Sequence, residues 1–132
     1  VAFLSFSNFG NVTYDRATKV RRAVALARAK RPDIIMDGEM QPQLALNSRY
    51  RDEHYPFSKL SGDANVLIFP DLDAASISTR LAAALTGSSL VGPLLVGLDK
   101  PVAALPQGCD VDELVNLTAF VAIRGGVELT WG

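Results

Sequence analysis

The sequence predicts an α/β fold, a mainly parallel sheet with helices on both faces. Short apolar runs at Ala2–Phe6 and Asn65–Pro70 alternate with longer amphipathic stretches. The second run holds Val66, Leu67, Ile68 and Phe69 in succession, the pattern of a strand covered on both sides. Strand, helix, strand, helix, strand, helix in regular order is the signature of βαβ units, whose crossovers are right-handed.

Ala2–Phe6 reads as a buried strand running into the polar loop Ser7-Asn8-Phe9-Gly10-Asn11. From Asp15 to Arg31, Ala17, Val20, Val24 and Ala27 recur at helical spacing; Pro32 closes the segment, and Arg28, Lys30 and Arg31 suit the negative end of the helix dipole. Ile34–Met36 is the expected second strand. Pro42 is placed for the first turn of a helix through Leu44 and Tyr50 toward His54. After the third strand, Asp73 is the expected N-cap of a helix with Ile77, Leu81, Ala84 and Leu85 on one face and Gly87 as its left-handed stop. Leu94–Leu98 and Val102–Leu105 are two further short strands separated by Asp99-Lys100-Pro101. Asp110 opens a last helix carrying Val111, Leu114, Val115, Thr118 and Ala122, and the tail from Gly125 to Gly132 is ambiguous. Residues 1–105 are expected to form the α/β core, and 106–132 a C-terminal helix and tail packing on a neighbouring subdomain absent from this chain.

At 132 residues the chain suits one domain, burying roughly two thirds of its unfolded surface. With 48% apolar and 20% charged residues and a net charge of −1, it has no electrostatic demand for nucleic acid or an anionic membrane. The longest nearly apolar run, Leu90–Leu98, is interrupted by Gly92, Pro93 and Gly97 and falls short of the ~20 residues of a membrane span. The single cysteine, Cys109, allows no internal disulfide, and the single histidine, His54, lacks partners at metal-ligand spacing. Beginning at Val1 inside a strand-like segment, the chain reads as a piece of a longer protein.

Four carboxylates, Asp37, Glu39, Asp71 and Asp73, are expected at or just beyond two strand ends, where open α/β sheets collect ligands. Such a set can hold Mg²⁺ or divide acid and base roles; equally, Asp73 can cap a helix and the others be solvated. The loop from Ser7 to Thr13 can offer backbone N–H groups and hydroxyls to a phosphate, although it matches neither a P-loop nor a dinucleotide fingerprint. Seven of the thirteen basic residues lie between Arg16 and Arg31, suiting either a phosphate-bearing ligand such as a coenzyme A or a solvated helix face. Cys109 beside Asp110 has the setting of an activated thiol but no nearby histidine, and a small residue packed in a turn is the simpler reading. His54 fits a surface helix end better than a catalytic base.

Taken together and in order, Leu4-Ser5-Phe6-Ser7, Asp37-Gly38-Glu39-Met40-Gln41, the segment 64–73, Val91-Gly92-Pro93-Leu94-Leu95-Val96-Gly97-Leu98 and Pro101 resemble the phosphate acetyl/butyryl transferase family. Ser7-Asn8-Phe9-Gly10-Asn11, Met40 and Tyr55-Pro56-Phe57-Ser58-Lys59-Leu60 are more similar to the version of that domain at the C-terminus of large NADP-dependent malic enzymes. The resemblance implies an isocitrate/isopropylmalate dehydrogenase-like architecture, present here as a partial domain. It also implies a parent enzyme that decarboxylates malate to pyruvate with NADP and a divalent metal, both confined to a malic enzyme portion preceding this domain. Family catalysis uses a serine, an arginine and an aspartate before and within the last helix. Aligned on Gly108, this chain has Pro106, Gln107 and Glu113 there. Proline offers no hydroxyl, and neutral glutamine lacks the bidentate, charge-assisted phosphate grip of guanidinium. Glu113 can still act as a base, but Asp110-Val111-Asp112-Glu113 is close to a capping box. Ser76, Thr79 and Arg80 replace further family residues, with Arg80 keeping the charge.

The resemblance therefore implies a non-catalytic domain serving acetyl-CoA-responsive regulation and oligomerisation, with acetyl-CoA or coenzyme A as effector. The ligand-binding candidates are Ser5, Ser7, Asn8, Asp71, Arg80, Gln107 and Glu113, with no metal site. The expected partners are further copies of the protein, at least as a dimer, and the malic enzyme domain of the same chain, with neither nucleic acid nor membrane. Coenzyme-dependent metabolism and the lone cysteine place it in the cytoplasm. The alternatives are an active phosphate acetyltransferase with Glu113 as base and a purely structural dimerisation piece.

Overall fold

The computed structural model describes residues 1–105 and 107–126, so Pro106 and the end of the tail lie outside the described residues. The elements are β1 (Ala2–Leu4), α1 (Asp15–Lys30), β2 (Asp37–Met40), α2 (Pro42–Ala45), α3 (Ser48–His54), β3 (Leu67–Ile68), α4 (Leu72–Thr86), β4 (Leu94–Leu95), β5 (Val102–Ala103) and α5 (Val111–Arg124). Two compact units, Val1–Ile77 and Ser78–Gly132, divide the chain, with the boundary inside α4.

In the first unit the strands lie in the order β2-β1-β3, all parallel. β1 is buried along its whole length. Because side chains alternate across a strand, its residues feed two cores. Ala2 and Leu4 join Met40, Leu44, Ala45 and Leu60, while Phe3 joins Val20, Val24 and Met36. α2 thus covers one face and α1 the other, giving the α/β arrangement that the alternation predicts. Each fully buried Leu, Val or Met contributes about 1.5–3 kcal/mol relative to exposure.

The second strand is displaced from its expected place. The sequence points to Ile34–Met36, yet the residues that pair with β1 are Asp37–Met40, and Ile35 is exposed. Two acids enter the sheet because arginines on α1 and nearby donors satisfy them, as described below. The helix expected from Pro42 to His54 is broken at Leu46 and Asn47, where the Asn47 side chain accepts from Tyr50 N at 3.0 Å and starts α3 afresh. β3 is the edge of its sheet, and Val66 and Ile68 are exposed rather than covered on both sides. Asp71, not Asp73, caps α4: its Oδ1 accepts from Ala74 N at 2.9 Å, leaving Asp73 in the first turn.

In the second unit β4 and β5 form an antiparallel hairpin, with Leu94 opposite Ala103 and Leu95 opposite Val102. Gly87, at φ +66°, follows α4 as the expected left-handed stop. Asp110 and Glu113 make the predicted capping box at the start of α5, which buries Leu117. Among the described residues no helix is long and apolar enough to cross a membrane.

Candidate functional site

The carboxyl edge of the parallel sheet carries the cluster with the most built polar structure in the first unit. Ser5 N donates to Met40 O at 2.9 Å, extending the β1–β2 ladder to the point where the chain leaves the sheet. The following loop is organised around Glu39, whose side chain is completely buried. Glu39 Oε1 accepts from Ser7 Oγ and from Gly10 N, both at 2.8 Å, and its backbone oxygen accepts from Phe9 N at 2.7 Å. Its other oxygen, Oε2, lies 3.3 Å from Arg21 Nε.

These contacts hold the chain in an unusual conformation. Phe9 has φ +48° and Gly10 φ +87°, both left-handed. A non-glycine residue there costs roughly 1–3 kcal/mol and persists only where its surroundings determine it. Glycine suits position 10 because any other residue is strained at φ +87°, and a Cβ there would also displace the Arg21 guanidinium, 2.7 Å away. Asn11 closes the turn by accepting from Asn8 N at 2.9 Å, and its Oδ1 lies 2.8 Å from Ser7 Oγ. With Ser7 N bonded to Ser5 Oγ and Asn11 N to Asn8 O, five consecutive backbone N–H groups are satisfied within the chain. In this state the loop is a finished structure rather than an open cradle of N–H groups.

Beside it runs a network of amides. Gln41 N donates to Asn8 Oδ1 at 2.7 Å, Gln41 Nε2 donates to Phe6 O at 2.8 Å, and Gln43 Nε2 donates to Gln41 Oε1 at 2.6 Å. Phe6 and Tyr14, both exposed, stand at the two ends of the loop with ring centroids 6.2 Å apart.

The second acid of β2 pins another loop. Asp37, also buried, accepts from Arg28 Nη2 and Gly38 N on one oxygen, and from Ser58 Oγ at 2.9 Å and Lys59 N at 2.6 Å on the other. The two loops meet where the Phe9 ring packs against Tyr55 and Phe57, at centroid distances of 5.4 and 5.0 Å. Arg21 and Arg28 are seven residues apart on α1, two helical turns, and so face the same strand. The basic helix therefore turns two of its charges inward to neutralise Glu39 and Asp37, and Arg31 is taken by Asp33.

Of the residues singled out from sequence, the structure brings Ser5, Ser7 and Asn8 together. Asp71 follows β3 at the same edge of the sheet, exposed and engaged in capping α4. Arg80, Gln107 and Glu113 belong to the second unit. Arg80 and Gln107 are exposed; Glu113 N donates to Asp110 Oδ1 at 2.7 Å, and Glu113 Oε2 accepts from Asp110 N at 3.2 Å. Pro106 lies outside the described residues. Cys109 is partly exposed and unpaired, and His54 at the end of α3 stacks on Tyr50 at 4.1 Å. Among the described residues no three His, Cys, Asp or Glu side chains converge as metal ligands do. Sequence reasoning missed Arg21, Arg28 and Gln41 as organisers of this edge, and the seven-residue spacing of the two arginines was the signal that could have found the first two.

Comparison with known proteins gives a consistent picture. The model of the phosphate acetyl/butaryl transferase family matches residues 1–122. An NADP-dependent malic enzyme from Rhizobium meliloti is 46% identical over 126 residues, covering 96% of this chain and 16% of that protein. A phosphate acetyltransferase from Paracoccus denitrificans is 41% identical over 124 residues, 94% of this chain and 39% of that protein. Among solved structures, the EutD phosphotransacetylase from Staphylococcus aureus superposes with a TM-score of 0.86 at 40% identity, over 94% of this chain and 39% of that one. The chain thus spans well under half the length of each.

Proposed function

The chain belongs to the phosphate acetyl/butaryl transferase family, and from that premise we propose that it is a non-catalytic domain of an NADP-dependent malic enzyme, where it binds acetyl-CoA or coenzyme A as an effector and joins copies of the protein into an oligomer. The observation that carries this reading is the state of Glu113. The carboxylate at the family's base position is engaged with the N-terminus of its own helix, and the neighbouring arginine position holds an exposed Gln107. A transfer reaction that develops charge loses a few kcal/mol of stabilisation without its positioned donor. Ligand binding survives such losses better, because its contacts are spread over several loops. The identity of 46% to a malic enzyme supports the parent protein. NADP and a divalent metal would serve the malic enzyme portion, and no residue of this chain is assigned to them.

The test is calorimetric titration of the full-length protein with acetyl-CoA beside an assay of malate turnover. Heat of binding with a change in turnover supports the proposal, and the absence of both overturns it. The phosphate acetyltransferase relatives favour a second reading, acetyl transfer between acetyl phosphate and coenzyme A. That reading requires acetyl-CoA formation that disappears in Glu113→Ala.

A further inference from the structure

We propose that Arg21 and Glu39 act as positioning residues, a two-sided clamp that holds the loop 7–12 ready for ligand; this rests on the effector-binding reading above and assigns the residues that set its affinity. Glu39 grips the first half of the loop through Ser7 Oγ and Gly10 N. Arg21 grips the end, since its Nη2 donates to Val12 O at 3.2 Å. Between them, Arg21 Nε and Glu39 Oε2 face each other at 3.3 Å, and neither atom has a hydrogen-bond partner. The ion pair is therefore the only compensation either buried atom receives among the described residues. Removing one side leaves the facing atom of the other uncompensated and frees the left-handed Phe9–Gly10 turn to relax. Of the binding candidates, Ser7 is buried and is one of the groups gripped, and the partly exposed Asn8 follows it inside the gripped segment, so its placement depends on the clamp. A ligand that needs the loop in one shape binds more weakly in proportion to how seldom that shape occurs; a loop in place a tenth of the time raises the apparent Kd about tenfold.

The test measures acetyl-CoA affinity of the full-length protein by calorimetry, together with hydrogen exchange at the Gly10 amide without ligand. Arg21→Gln and Glu39→Gln are each expected to weaken binding about tenfold and speed Gly10 exchange, with the double variant no weaker than either single one. Arg21→Lys keeps the charge opposite Glu39 but forgoes the bond to Val12, and is expected to weaken binding only about threefold. It also decides the matter if the glutamine variants fail to fold. Wild-type binding with all variants within twofold of it overturns the clamp while leaving the effector reading intact. A wild-type protein that takes up no acetyl-CoA overturns the effector reading and the clamp with it.

Discussion

Glu39 on β2 and Glu113 on α5 are both glutamates that accept a backbone N–H, yet they do opposite kinds of work. Glu39 is completely buried and ties its strand to residues 29 and 32 positions away in the chain, Gly10 and Ser7. Glu113 lies on the partly exposed first turn of a helix and bonds to Asp110, three positions away. A buried carboxylate taken out of water is tolerated only with its partners in place, so it enforces long-range order. An exposed carboxylate at a helix start only tunes a local equilibrium that water can supply instead. The difference suggests that burial, rather than the span of a contact along the chain, decides which polar ties hold the first unit together.

Four substitutions can break or sharpen that comparison, each read by urea denaturation. Glu39→Ala leaves Arg21 Nε and Gly10 N without their partner in the interior, and Ser7 Oγ with Asn11 Oδ1 alone, and is expected to cost about 3–5 kcal/mol. Arg51 is the next case: its buried guanidinium donates to the carbonyls of Leu44, Leu60 and Gly62, at 3.0, 3.4 and 2.7 Å, over spans of only 7 to 11 residues. Arg51→Ala should cost about 2–3 kcal/mol, since the buried carbonyls of Leu44 and Leu60 and the carbonyl of Gly62 lose their donor. Glu113→Ala removes half of an exposed capping box and is expected to cost about 0.5–1 kcal/mol.

The smallest effect is expected at Asp63, and it separates the two variables. Asp63 Oδ1 accepts from Ser48 N at 2.7 Å across 15 residues, a longer span than any contact of Arg51, but the carboxylate is fully exposed. The Ser48 backbone bond holds its pKa below the usual carboxylate value of 3.8. Lowered in the folded state, it stabilises the protein above that value, and the benefit fades as pH falls through the folded pKa. Asp63→Asn should therefore lower the stability to urea slightly at pH 7 and by less near pH 3. A loss at pH 7 as large as that of Arg51→Ala would show that span, not burial, governs.

Legibility followed the same division. The extent of α1, the Gly87 stop and the Asp110–Glu113 box were readable because each depends on neighbours within a few residues. The displacement of the second strand onto Asp37–Met40 was not, because an acid pair inside a sheet contradicts every local preference until Arg21 and Arg28 are seen beside it. The Asn47 break was half-readable, since Asn is a good N-cap, but the Pro42 signal upstream pointed to one longer helix. At the site, Ser5, Ser7 and Asn8 were found from their position after a strand. Their condition was not, because hydrogen-bond partners 29 to 35 residues away decide it.

By itself the sequence determined the α/β class, the parallel pairing of the strands in the first unit, the family, the Gly87 stop and the Asp110–Glu113 cap, since these rest on periodicity, motif order and short-range hydrogen bonding. The tertiary structure alone decided which charges are spent inside. It turned Glu39 and Asp37 from candidate ligands at a strand exit into buried ties, and two arginines of a basic helix into their counterions. The physical reason is that the free energy of a carboxylate is set by what surrounds it once water is removed, and those surroundings come from distant parts of the chain.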